Sequence, residues 1–183
     1  MSTTSFHEEI LLSANETEAV IQQMADRILT DFPNPEKRVM VGIRRGGAVV
    51  AKLLRARLDA ALDRQIPLGF LDITFYRDDL RTIAPNPVVG ATDLSMSIDG
   101  RQIILVDDVL FTGRTIRAAL NALFDYGRPE RVELAVLVDR GGRQLPIRPD
   151  FAGQVFEAGA RETIKLVEKI PGEWIVVRRV PAT

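Results

Sequence analysis

The sequence predicts an α/β fold: a parallel β-sheet flanked by helices, with a small β-rich hood at the C-terminus and a long flexible lid loop. Three observations predict it. Apolar runs of strand length alternate with helical stripes from about residue 16 to residue 138. Each predicted strand in that span ends in charged or glycine-rich residues. Beyond Asp139 the apolar runs are short and no helical stripe separates them. Alternation favours a parallel sheet, because parallel neighbours need a crossover that is usually a helix. At 183 residues, 46% hydrophobic and 27% charged, the chain reads as one domain, 1–183, with a substantial core.

Taken in order, residues 1–12 are expected to form a loose arm, in which Ile10, Leu11 and Leu12 have the chance to pack down. Ser13-Ala14-Asn15-Glu16 has the spacing of a capping box, with Asn15 as a competing cap. Val20, Ile21, Met24, Ile28 and Leu29 then form one stripe of a helix over about 16–30, which Pro33-Asn34-Pro35 ends. Arg38 to Ile43 reads as a strand, Arg44-Arg45-Gly46-Gly47 as a turn, and about 47–62 as a helix. Pro67 to Phe75 reads as another strand. The polar stretch from Arg77 to Gly100 is long for a connection in a compact domain and is read as a lid, with Pro87 to Gly90 and Leu94 to Met96 as the arms of a hairpin.

The most informative stretch is Ile103-Ile104-Leu105-Val106-Asp107-Asp108-Val109-Leu110-Phe111-Thr112-Gly113-Arg114-Thr115. Four consecutive apolar residues suit a strand buried on both faces. Two acids follow, and then hydroxyls and a glycine where a helix begins. The first N–H groups of a helix lack internal partners and the dipole favours anions there, so the turn is a natural phosphate cradle. Acids beside such a cradle suit a ligand with sugar hydroxyls, a phosphate and a divalent metal. Val132 to Val138 is the next strand. Val155-Phe156, Thr163 to Val167 and Trp174 to Val177 are read as strands of the hood, which is assigned 151–183.

Composition narrows the function. A net charge of −1 gives no global attraction to nucleic acid or membrane. Absence of cysteine removes disulfides, thiolate nucleophiles and cysteine-ligated metals together, and His7 is the one histidine. No apolar run approaches the ~18 residues of a membrane span, and the N-terminus lacks the pattern of a signal peptide, so a cytoplasmic setting is expected. Ligands of parallel sheets sit beyond the carboxyl ends of the strands. Those ends read Arg44-Arg45-Gly46-Gly47, Tyr76-Arg77-Asp78-Asp79, Asp107-Asp108 with the threonine–glycine turn, and Asp139-Arg140-Gly141. Guanidinium groups and free N–H donors suit a diphosphate.

The stretch from Ile103 to Thr115 resembles the phosphoribosyl-diphosphate signature of the type I phosphoribosyltransferases. Leu71 to Leu80 and Leu137 to Asp150 are similar to blocks of the PyrR family, pyrimidine operon regulators that are also uracil phosphoribosyltransferases. The likeness runs from about 15 to 180. It implies a reaction of uracil with 5-phospho-α-D-ribose 1-diphosphate (PRPP), giving UMP and diphosphate with Mg²⁺. In this reading Asp107 and Asp108 hold the ribose hydroxyls and can bear on the metal, while Arg44, Arg45 and Gly46 grip the diphosphate. The donor is held along Val109, Leu110, Phe111, Thr112, Gly113, Arg114 and Thr115, with the phosphate on Thr112 to Thr115. Arg45 and Arg77 join the acids as catalytic candidates, and Asp139, Arg140 and Ile164 face the base. Phe111 stands where purine-using relatives carry an acid, which favours a pyrimidine.

Three positions depart from the family pattern. The diphosphate loop usually ends threonine–arginine–glycine and here reads Arg45-Gly46-Gly47. Val155-Phe156-Glu157-Ala158 replaces an isoleucine–proline–threonine turn. The first helix carries Gln22, Gln23 and Asp26 where RNA-binding members have basic and histidine residues, leaving Arg143 and Arg148 as RNA candidates. Fewer cations mean weaker RNA binding at physiological salt. Two alternatives stand beside the uracil enzyme: a UMP- or UTP-sensing RNA-binding attenuator with little catalysis, and a phosphoribosyltransferase for another base. A homo-oligomer is implied, with the first helix or the strand from Arg131 to Val138 as its interface.

Overall fold

A computed structural model describes residues 6–31, 34–76 and 92–182. Five parallel strands form the central sheet: β2 (Arg38–Ile43), β3 (Leu68–Leu71), β4 (Gln102–Leu110), β5 (Arg131–Asp139) and β6 (Phe151–Val155). Their order is β3-β2-β4-β5-β6. A second, antiparallel sheet has the order β1-β8-β7, from β1 (Phe6–Leu12), β7 (Thr163–Ile170) and β8 (Glu173–Pro181).

Helices cover both faces, and the two-residue period of the strands divides the core accordingly. Met40, Ile104, Val106, Ala135 and Leu137 point to one side, against α1 (Ala14–Thr30) and α2 (Gly46–Leu62). Val39, Val41, Ile103, Leu105 and Val136 point to the other, against α3 (Arg114–Phe124). Ser13 is the cap of α1: its hydroxyl accepts from the Glu16 backbone N–H, and the Glu16 carboxylate accepts from the Ser13 N–H at 2.8 Å. The Glu16 carboxyl is held below its usual range by the Ser13 hydroxyl, which donates to it at 2.6 Å, and then by the Ser13 N–H. Asn15 does not compete, because it already lies inside the helix.

Several expectations are corrected. Residues 6–12 are not a loose arm but strand β1, whose register on β8 pairs Glu8 with Arg179 and Glu9 with Arg178. The Arg179–Glu8 (2.7 Å) and Arg178–Glu9 (3.6 Å) ion pairs reinforce that register. The hood is therefore built from both termini. Conversely, Phe151–Val155 belongs to the central sheet, reached from β5 without a crossover helix. The strand expected over 67–75 stops at Leu71, and a 3₁₀ turn over Thr74–Tyr76 follows.

The lid expectation divides. Residues 77–91, with Arg77 and the first hairpin arm, lie outside the described residues. Residues 92–98 pack down instead: Phe70 and Asp93 exchange two backbone hydrogen bonds of 2.8 Å, Leu94 and Met96 join the α3-side core, and Ile98 is buried. The hydrophobic side chains at 94, 96 and 98 explain why this part lies against the sheet. Strand β5 lies between β4 and β6 with Glu133 to Val138 buried, so it offers no face for an interface. Among the described residues, no helix is long and apolar enough to cross a membrane.

Candidate active site

The order β3-β2-β4 contains a reversal. From β2 the chain turns to one side to lay down β3, then returns to the other side to lay down β4. Loops leaving β2 and β4 therefore diverge, and a crevice opens between them at the carboxyl edge, the usual ligand position of such sheets. Arg44, Arg45 and Gly46 come from the β2 end and Asp107 and Asp108 from the β4 end. They meet closely. A Cβ placed on Gly46 would lie 2.2 Å from Asp108 Oδ2, and one on Gly47 would lie 2.4 Å from the Val106 carbonyl oxygen. Only glycine at both positions lets the loop reach the acids.

A cavity of about 550 Å³ opens here, lined by Arg44, Arg45, Gly46, Asp72, Ile73, Thr74, Asp108, Lys165 and Leu166. Arg44 and Arg45 are exposed and form no ion pair among the described residues. The Arg44 guanidinium instead lies 5.3 Å from the centroid of the Phe70 ring. Asp107 is buried, and its Oδ1 accepts from the Asp108 N–H at 3.0 Å. Asp108 is half-buried and turns its carboxylate toward Gly46. Its oxygens are hard donors suited to Mg²⁺. Among the described residues no group of three potential metal-ligating side chains exists, so Asp107 and Asp108 would share the ion with substrate oxygens.

The turn expected to cradle a phosphate opens α3. Gly113 takes φ +90 at the N-cap of α3, and the Thr112 hydroxyl accepts from the Arg114 N–H. Residues 139–147 wrap this turn. The N–H groups of Gln144 and Leu145 donate to the Thr112 carbonyl, and Arg114 Nε donates to Gln144 Oε1 at 2.9 Å. Val109 and Leu110 are strand residues that point into the two opposite cores. Any contact they make with a donor is through backbone.

Other expected side chains are committed elsewhere. The Arg140 guanidinium stacks 3.7 Å from the centroid of the Phe111 ring and donates to the carbonyls of Gly159 and Glu162, tying the hood segment to the β4 loop. Burial pushes it below its ordinary value, against the opposing pull of Glu162. Asp139 accepts from Arg143 at 2.5 Å and from the Gly141 N–H at 2.9 Å. Ile164 is buried in the core and does not line the cavity. Arg143 is no free cation for RNA, since it also donates to the carbonyls of Phe111 and Ile147. Arg148 is exposed.

Asp72, Thr74, Lys165 and Leu166 were not among the expected site residues. Asp72 and Thr74 follow strand β3, so the strand-end rule extends to them. Lys165 and Leu166 carry no such local signal, because only the folding of the hood brings them to the cavity.

Residues 7–161 match the model of the phosphoribosyl transferase domain. The Bifunctional protein PyrR of Pelotomaculum thermopropionicum is 49% identical over 158 residues, which is 86% of this chain and 87% of that protein. The Bifunctional protein PyrR of Roseiflexus sp. is 50% identical over 147 residues, 80% of each chain. This chain belongs to the PyrR family. Among solved structures, the hypoxanthine phosphoribosyltransferase of Trypanosoma cruzi superposes with a TM-score of 0.68 at 18% identity, over 95% of this chain and 97% of that one. A hypoxanthine-guanine phosphoribosyltransferase from Bacillus anthracis gives 0.66 at 19% identity, over 83% and 85%. At those identities the likeness concerns the fold, which is that of the type I phosphoribosyltransferases with an antiparallel hood.

Proposed function

We propose that the protein transfers the phosphoribosyl group of PRPP to uracil, giving UMP and diphosphate. The observation that carries this reading is the meeting of the β2 and β4 loops at the switch point, where Arg44 and Arg45 line one cavity with Asp108, on the strand that runs on to the Thr112–Thr115 turn. The donor's 5-phosphate suits the cradle, its ribose hydroxyls suit Asp107 and Asp108, and its diphosphate suits the arginines. As the anomeric carbon–oxygen bond breaks, positive charge develops on the ribose ring, and the two fixed carboxylates stabilise it. The new bond joins uracil N1 to that carbon, and the N1 proton leaves to water or to an oxygen of the departing diphosphate. Mg²⁺ bound to the donor, with Asp108 or Asp107 in reach, would neutralise the departing diphosphate.

Phe111 supports a pyrimidine at the base position: it puts a ring, held by Arg140, where an acid would serve a purine. Membership of the PyrR family supports a second role in regulating pyrimidine operon transcription. Its RNA-binding side chains are reduced here. Arg143 is tied into the β4 loop, and on α1 Gln22 is bonded to Asp26 at 2.9 Å.

Incubating the protein with PRPP, Mg²⁺ and a panel of uracil, hypoxanthine and guanine tests the reading. UMP is the expected product. IMP or GMP with no UMP would replace uracil by a purine, and no nucleotide from any base would overturn the enzymatic reading.

A further inference from the structure

We infer that Lys165, on the hood strand β7, completes the diphosphate subsite of the donor. The inference deepens the proposed phosphoribosyl transfer and rests on it. An exposed lysine on a strand is ordinarily a solvated charge, and three features set this one apart. It lines the same cavity as Arg44, Arg45 and Asp108, although it arrives from a different sheet. It forms no ion pair among the described residues, while its near neighbours do: Arg178 is paired with Glu162 and Glu9, and Arg179 with Glu8. Its neighbours in sequence fix its direction, because Ile164 is drawn into the core and the alternation of the strand turns position 165 outward.

The loop of β2 leaves room for such a contribution and needs it. Gly46 cannot carry a side chain while Asp108 stands where it does, since a Cβ there would fall 2.2 Å from the carboxylate oxygen. The cation count of this loop is therefore limited to Arg44 and Arg45. Beside them, Asp108 puts negative charge on the same cavity. A diphosphate carries several negative charges and is repelled by that acid unless cations or Mg²⁺ offset it. A lysine entering from the hood adds a compact point charge with rotatable donors, well suited to phosphate oxygens. It also couples the hood to the leaving group rather than to the base alone.

Calorimetric titration of the full chain tests this with three probes: PRPP with Mg²⁺, inorganic diphosphate with Mg²⁺, and UMP, which has the 5-phosphate and ribose but no diphosphate. Lys165→Met should bind PRPP and diphosphate about tenfold more weakly and lose part of the salt dependence of both, with UMP affinity within about twofold of the parent. Lys165→Arg should recover most of the loss. Unchanged PRPP and diphosphate affinity in Lys165→Met, or an equal loss for UMP, would overturn the assignment. A parent protein that binds neither PRPP nor UMP would instead overturn the phosphoribosyltransferase reading, and the inference with it.

Discussion

At the amino end of the central sheet charges are paired, with Arg38 and Glu133 fully buried, whereas at the carboxyl ends of β2 and β4 Arg44, Arg45 and Asp108 face an open cavity. Arg38 begins β2 and is 1% exposed; it forms an ion pair with Glu133 of β5 and donates to the Asp31 carbonyl at 2.7 Å. Arg131 reaches the other Glu133 oxygen at 2.9 Å, and Lys37 pairs with Glu130 at 3.0 Å. Burial, and then the nearby Arg131, push the Arg38 guanidinium below its ordinary value. At the opposite edge Arg44, Arg45 and Lys165 have no ion pair among the described residues. Arginines stand at both ends of β2, Arg38 at its start and Arg44 and Arg45 just past its end. Charge that the fold itself satisfies is structural, and charge that it leaves unsatisfied around a cavity is where a charged ligand belongs.

Breaking the buried edge should have the largest effect on stability. Glu133→Ala leaves the Arg38 guanidinium buried without its carboxylate, and a loss of about 3–5 kcal/mol is expected in denaturant unfolding. Below the unfolding transition the Michaelis constant for PRPP should be unchanged, because Glu133 lies at the far end of the strands from the cavity. A change confined to activity, with stability kept, would erase the distinction between the edges.

A smaller effect is expected from the paired charges beyond the carboxyl ends of β4 and β5. Arg143→Ala removes the side chain that ties Asp139 to the carbonyls of Phe111 and Ile147. The β4 loop should loosen, with kcat/KM falling about tenfold. RNA affinity, measured on a pyrimidine leader, should fall no further than in a variant lacking Arg148. A large, selective loss of RNA binding would instead make Arg143 a contact for RNA.

Much of the fold was legible in the sequence because hydrophobic period dominates it. Strand Arg38–Ile43 and the helix that follows it stand within a residue or two of expectation, whereas β4 runs four residues past the apolar run Ile103–Val106, to Leu110. The capping box at Ser13 was legible because its bonds are local. Strand β1 was not, because Phe6 to Ile10 is polar and exposed on most of its length and becomes a strand only by pairing with β8, far along the chain. Strand β6 was misplaced for a related reason: its short run says nothing about which sheet it joins. At the site, Asp107, Asp108 and Thr112 to Thr115 were readable from one continuous stretch. The roles of Arg140 and Arg143 were not, since a guanidinium that binds carbonyls and an aromatic ring looks the same in sequence as one that binds a ligand. Lys165 depends wholly on where the hood folds.

The proposed reaction requires the acid pair at the carboxyl edge, and the fold does not. Turnover of uracil with PRPP by the Asp107→Asn/Asp108→Asn double variant, measured beside its melting temperature, tests it most directly. A loss on the order of 10³-fold in kcat is expected, with the melting temperature within a few degrees of the parent. Turnover close to that of the parent would contradict it.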